Sequence, residues 1–315
     1  MPFNKHFFEN HTLMNNPSVF DVIIIGGSYA GLSAAMALGR SLRHVLVIDS
    51  GQPCNKQTPH SHNFITQDGQ TPRQIAKIAK EQVLKYSTVK FQNGVVISAE
   101  KIEKGFEIST QSGEQFTARK LLFATGLKDQ MPSFPGFAAC WGISILHCPY
   151  CHGYEVKDTK IGLLGNGDVG FGFCQLLNNW SKNLILFTNG PSTLTSEQTT
   201  KLTNHGIQII ENEISAFEHQ DGSLQNIVFM DNSKYSISSL FARVSFQQHC
   251  TIPQEMGCEL TEQGYIKVDD FHQTSVLGVF AAGDTTSMLR AVSVAVAAGT
   301  KAGAFINKEL IEEEF

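Results

Sequence analysis

The chain has 315 residues, enough for two domains and two sizeable cores, and its composition (42% hydrophobic, 17% charged, 27 glycines) is that of a folded enzyme. A net charge of -5 argues against nucleic acid as a partner, because phosphate binding needs clustered Lys and Arg. No apolar run reaches the length of a membrane span.

Residues 1–17 mix His, Asn, Phe and Lys without an apolar h-region and read as a polar extension, not a signal peptide. Asp21-Val-Ile-Ile-Ile25 reads as a buried parallel strand. Gly26-Gly-Ser-Tyr-Ala-Gly31 follows it, and a helix of good helix formers starts at Leu32. Val45–Ile48 is the next strand, closed by Asp49, at the offset expected of a ribose-binding acid. This βαβ unit aims a helix N-terminus at a pyrophosphate through Gly26, Ser28, Tyr29, Ala30 and Gly31, with Ser28 where a middle glycine is usual. The competing reading is a plain strand–turn–helix with tight packing.

A helix is expected within 67–86, with Pro72 near its start. Short strands with turns at Asn93-Gly94 and Ser112-Gly113 fill 89–117. Leu121–Ala124 is a buried strand ending at Thr125-Gly126, and Met131–Gly136 reads as a crossing between domains. A second βαβ unit follows: strand Ile161–Leu164, turn Gly165-Asn-Gly-Asp-Val-Gly170, helix to about Trp180, and strand Leu184–Phe187. Further strands are expected at 208–211, 226–230, 240–245, 264–268 and 278–282, with a long helix over 289–310.

Between the two fingerprints lies His147-Cys-Pro-Tyr-Cys-His152. A Cys-x-x-Cys pair can open and close a disulfide, and its thiols ionise more readily than a free cysteine. His152 titrates near neutrality and can carry the thiol proton; His147, His60 and His62 are further candidates for that work, set against an ordinary hydrogen-bonding role. The other cysteines, Cys54, Cys140, Cys174, Cys250 and Cys258, are isolated and read as packing residues. An odd total of seven with one tight pair fits a reducing cytoplasm. Zinc is disfavoured, since a structural site draws its ligands from two separated clusters. No metal is expected.

With Ala124-Thr-Gly126 and Val279-Phe-Ala-Ala-Gly-Asp284 added to the first fingerprint, the chain resembles the FAD-dependent thioredoxin reductase superfamily. The resemblance implies an α/β fold of two Rossmann-like domains: a discontinuous FAD unit (18–126 plus 249–315) and a middle NAD(P)-binding-like unit (127–248) carrying the cysteines. It makes Thr125, Gly126, Gly283 and Asp284 flavin-site residues. It brings the backbone of Arg290, Ala291 and Val292 to the flavin's pyrimidine edge and assigns Asn63 a flavin-proximal place. It also implies a homodimer.

The Cys-Pro-Tyr-Cys-His-Gly form is similar to that of the dithiol oxidases that close disulfides in small molecules such as gliotoxin and holomycin. That resemblance implies that Cys148 exchanges with substrate, Cys151 faces the flavin, and oxygen collects the electrons. The second fingerprint, at Gly165, Gly167 and Gly170, suggests a nicotinamide. Yet Phe187-Thr-Asn-Gly-Pro191 offers neither a ribose-binding acid nor the arginines an NADPH phosphate needs. Dithiol oxidation is therefore the leading expectation, with a small dithiol, a disulfide or a thioredoxin-like protein as partner. The alternatives are an NAD(P)H-dependent disulfide reductase and a flavin redox sensor without turnover.

Overall fold

A computed structural model describes residues 19–315, so the expected polar extension lies outside the described residues. The branched apolar run Val19–Ile25 is the central strand of a seven-stranded sheet. It pairs in parallel with Val45–Asp49 on one side and Gln115–Phe123 on the other. Val89–Asn93 lies beyond Val45–Asp49. An antiparallel meander, Val96–Ile102, Gly105–Thr110 and Gln115–Phe123, completes the far side. Val279–Ala281 returns from the C-terminal part of the chain to pair in parallel with the end of Gln115–Phe123. The three-dimensional unit is thus closed by residues from both ends of the sequence.

Helices Tyr29–Arg40, Pro72–Val83 and Val292–Glu314 cover one face of this sheet, where Val22, Ile24, Leu38, Val47, Phe280 and Ile306 form a fully buried core. Pro72 stands at the start of its helix, and the Thr71 hydroxyl caps it by accepting from the Gln74 N–H. The long C-terminal helix runs close along Tyr29–Arg40. A Cβ at Gly299 would stand 2.0 Å from the Ala30 carbonyl oxygen, so only glycine permits that approach.

The middle of the chain builds a five-stranded parallel sheet in the order Gln208–Ile210, Leu184–Phe187, Ile161–Leu164, Leu240–Ala242, Ile145–Leu146. A three-stranded antiparallel sheet, Ile214–Gln220, Ser223–Phe229 and Lys234–Ser236, packs beside it through Phe217, Ile227 and Phe229. The two strand-rich units are joined by a two-stranded antiparallel ladder, Leu127–Gln130 with Ser245–Gln248. The crossing expected at 131–136 therefore begins earlier, at Leu127. The strand expected at 240–245 divides, its first part entering the parallel sheet and its continuation entering the ladder. Residues 264–268 make only isolated bridges, Leu260 with Ile266 and Val268 with Thr274.

Candidate functional site: a flavin cavity reaching a disulfide

A single cavity of about 1150 Å³ runs from the first glycine turn to the cysteine pair. At its first end Gly26 adopts φ +105°, and a Cβ at Gly31 would stand 1.9 Å from the Gly26 carbonyl oxygen. This is the tight strand-to-helix turn that lets a pyrophosphate approach backbone N–H groups. Ser28 is the N-cap of Tyr29–Arg40, but its hydroxyl makes no capping bond and lines the cavity with Tyr29 and Ala30. Asp49 holds the turn: Oδ1 accepts from the Gly27 N–H at 2.9 Å and Oδ2 from the Gly51 N–H at 3.2 Å. A carboxylate offers about four acceptor positions, so ribose hydroxyls can still be held there.

The remaining expected residues arrive from distant parts of the chain. Thr125 and Gly126 line the cavity, and Thr125 Oγ1 is buried without a hydrogen-bond partner. Such an orphan oxygen is what a bound polar ligand would satisfy. Gly283, Asp284, Arg290, Ala291 and Val292 line it as well. Ala291 is the N-cap of Val292–Glu314 and supplies no side-chain cap, leaving that helix's first N–H groups for a ligand. Burial raises the Asp284 carboxyl above its usual range, and Arg290 opposes the rise. These features fit FAD: two uncapped helix ends, a glycine cradle and an orphan hydroxyl around one elongated cavity.

Asn63 departs from the expectation. It is exposed, does not line the cavity, and donates its backbone N–H to Asp68 Oδ1 at 2.7 Å. Asn55 lines the cavity instead, with Nδ2 3.4 Å from the Tyr29 hydroxyl. Two cysteines read as packing residues also face the cavity, Cys54 and Cys250, whereas Cys140, Cys174 and Cys258 are buried. The surface that Cys54 exposes is cavity wall. Its Sγ lies 3.9 Å from Asp284 Oδ2, and burial, reinforced by that carboxylate, pushes the thiol up to about 11. Cys54 is therefore no competitor of the cysteine pair for thiolate chemistry.

At the other end, Cys148 precedes the single helical turn Pro149–His152, which brings Cys151 back beside it. The two are joined as a disulfide with a Cα–Cα distance of 5.3 Å, and both line the cavity. His147 and His152 flank them in the cavity wall. Burial, helped by Arg290, lowers His147 to about 4, so it is neutral at neutral pH. Burial also lowers His152, opposed by Glu155 and assisted by His62. His60 and His62 reach the same cavity from the segment after Val45–Asp49, and His60 Nδ1 lies 2.9 Å from the Gly69 carbonyl oxygen.

Arg290 links the two ends. Its guanidinium forms two bonds to Asp129, at 2.6 and 3.2 Å, and its Nε lies 3.6 Å from Asp284. Burial works against the Arg290 charge, but Asp129, Cys54 and Asp284 together raise its pKa. Asp129 Oδ2 also accepts from Trp141 Nε1 at 3.1 Å, and the Trp141 ring lies 6.2 Å from that of His147. The residue missed by sequence reading is thus Asp129, which sits in a short polar strand with no recognisable motif.

The second glycine turn lies apart from this cavity: Gly165, Gly167 and Gly170 do not line it. Asn166 Oδ1 accepts from the Gly167 N–H at 2.8 Å, from the Thr193 N–H at 2.8 Å and from the Thr193 hydroxyl at 3.1 Å. Asn166 Nδ2 donates to the Pro191 carbonyl at 2.9 Å. Asn166 thus ties the 191–193 loop to the start of the helix Gly167–Leu177. At the neighbouring strand end the Thr188 hydroxyl donates to the Gly190 carbonyl and Asn189 Oδ1 accepts from the Ile214 N–H. Among the described residues no group of three or more His, Cys, Asp or Glu is placed to hold a metal ion, and no helix is long and apolar enough to cross a membrane.

Comparison with known proteins agrees with this geometry. Residues 20–299 match the family model described as pyridine nucleotide-disulphide oxidoreductase. The chain is 33% identical over 315 residues to the thioredoxin reductase tcpT of Claviceps purpurea, covering 95% of this chain and 97% of that protein. The crystal structure of a putative thioredoxin reductase, TrxB, from Bacillus anthracis superposes with a TM-score of 0.90 at 31% identity, covering 94% of this chain and all of that one. That of HlmI superposes at 0.88 and 30% identity, covering 95% and 96%.

Proposed function

Starting from a chain that belongs to the pyridine nucleotide-disulphide oxidoreductase family and is a flavoprotein disulfide oxidoreductase binding FAD, we propose that it oxidises a small dithiol through the Cys148–Cys151 disulfide. FAD, when bound, supplies a two-electron acceptor beside the pair and passes the electrons to oxygen or another acceptor.

The observation that carries this reading is a contrast. One cavity joins the first glycine cradle to both sulfurs, whereas at the second turn Asn166 accepts from the Gly167 and Thr193 N–H groups and no basic residue stands at the end of the following strand. The contrast favours a thiol over a nicotinamide as the source of electrons. In this reading a substrate thiolate attacks Cys148 Sγ, and Cys151 leaves as a thiolate on the cavity side. The second substrate thiol then displaces Cys148, which closes the substrate disulfide. His152 takes the thiol proton, for which a histidine neutral at neutral pH is suited. The cavity lining falls within 25–126 and 249–295 on one hand and 127–152 on the other, which supports flavin binding by the outer segments of the chain (18–126 plus 249–315) and carriage of the redox pair by the middle one (127–248).

The deciding experiment is anaerobic. Dithiothreitol should bleach the bound flavin, and NADPH or NADH should not. Rapid bleaching by either nicotinamide would assign the chain to NAD(P)H-dependent disulfide reduction. Bleaching by dithiothreitol with no oxygen uptake under steady-state conditions would assign it to flavin redox sensing.

A further inference from the structure

Oxidation of a dithiol leaves a proton to be disposed of. Two S–H bonds break and one S–S bond forms; two electrons and one proton pass on to the bound flavin, and the second proton must reach solvent. His152 can accept it but is half-buried in the cavity wall.

His62 lines the same cavity as His152, and the arrangement around it has no other assigned task. His62 stands with Nε2 3.5 Å from Glu155 Oε1 and Nδ1 3.7 Å from Asp68 Oδ1. His62 and Asp68 come from the segment preceding Pro72–Val83, whereas Glu155 follows the cysteine turn. Side-chain exposure is 21% at His62, 39% at Glu155 and 66% at Asp68, so the histidine is the inner member and both carboxylates meet solvent. The charges felt by His152 are those of Glu155, which favours its protonation, and of His62, which opposes it; on the far side His147 is its other titratable neighbour. His62 is further flanked by His60, with ring centres 6.4 Å apart.

We propose that Glu155 and His62 are positioning residues forming a proton path from His152 to solvent, and that the path is complete only when the two units meet as they do around this cavity. The proposal rests on the dithiol-oxidase reading. A histidine held between two carboxylates can receive a proton on one nitrogen and release one from the other. Because one wall of the path belongs to each unit, proton exit is tied to the arrangement that places the disulfide in the flavin cavity.

The test uses FAD-loaded protein, with the variants Glu155→Gln and His62→Gln and with Glu155→Asp as the conservative control. The pH dependence of anaerobic flavin reduction by dithiothreitol is measured beside the titration of His152 by NMR of 13C-labelled histidine. The reductive rate rises as His152 loses its proton. Removing the Glu155 charge should move both the His152 midpoint and the acid limb of the rate to lower pH. Removing His62 should move both to higher pH. Either glutamine variant should lower the plateau rate roughly tenfold, less than the roughly hundredfold or more that a group acting directly on the reacting proton contributes, and Glu155→Asp should restore most of it. A purely structural role would lower rates without opposed shifts. If wild type is bleached by dithiothreitol and neither midpoint moves, the path is overturned and the oxidase reading stands. If wild type is not bleached at all, both fall.

Discussion

Cys148 and Cys151 are neighbours in sequence but differ in what they meet. Cys148 ends an extended segment and Cys151 lies within the helical turn that folds back beneath it, so a single turn gives two sulfurs different approaches. If Cys151 is the sulfur nearer the flavin, Cys151→Ser should retain bound FAD, since none of the cradle residues is touched, yet lose flavin bleaching by dithiothreitol by at least about two orders of magnitude, the scale of a lost covalent nucleophile. Loss of FAD from the well-folded variant, or unchanged bleaching measured by absorbance, would contradict the placement. The pair, its histidine and the first cradle were readable because their chemistry demands fixed spacing. Asn63 was misread for the opposite reason. It lies in a turn-rich segment with no period to set its direction, and Asn55 occupies the wall instead. Nothing in the bare sequence distinguishes which of two asparagines in one irregular loop points inward.

At the scale of elements, the flavin cradle depends on two helices lying closer than side chains normally permit. Tyr29–Arg40 and Val292–Glu314 meet through Gly299 against the Ala30 carbonyl and Gly303 against the Ala34 carbonyl, and the N-termini of both helices face the cavity. Adding one methyl at Gly299 must push the helices apart, because its neighbour is backbone and cannot rotate away. Gly299→Ala should therefore cost about 1–3 kcal/mol and weaken FAD retention, read as a lower melting temperature and a reduced flavin-to-protein ratio after gel filtration. Unchanged values in both would show that the contact relaxes freely. Most of the parallel strands were legible because buried strands are uniformly apolar, and Pro72–Val83 was legible from the proline in its first turn, whereas Ile145–Leu146 is too short to carry a pattern. Ser196–Asn204 was overlooked although Thr195 and Gln198 form a capping box, since its weakly apolar face hid the period. Ile214–Gln220 was missed because its bulged pairing with Ser223–Phe229 breaks the alternation that marks a strand.

At the scale of the whole molecule, the proposed reaction depends on the middle segment holding its disulfide in a cavity that it shares with the outer segments. The connection includes the ladder of Leu127–Gln130 with Ser245–Gln248, the Gln248 side chain bonded to Gly264 and Thr285, and the ion pair of Asp129 with Arg290. Both charged side chains are largely buried, Asp129 at 9% and Arg290 at 12% exposure, and Asp129 also holds the indole of Trp141. The Gln57 side-chain amide donates to the Trp141 carbonyl at 3.0 Å, which adds a further bond across the junction. Removing the Asp129 charge leaves a buried guanidinium without its counterion, a loss on the order of 3–5 kcal/mol when no other group replaces it. Asp284, already near Arg290, can recover part of this. Asp129→Asn should therefore lower the melting temperature by several degrees, about 2–4 °C per kcal/mol for a protein of this size or somewhat smaller. It should also slow flavin bleaching by dithiothreitol more than it lowers FAD content, because the cradle residues remain in place while the unit carrying the cysteines is no longer pinned. If bleaching and FAD content fell in strict proportion, the ion pair would be serving the cofactor site alone, and the docking of the disulfide would have to rest on the ladder.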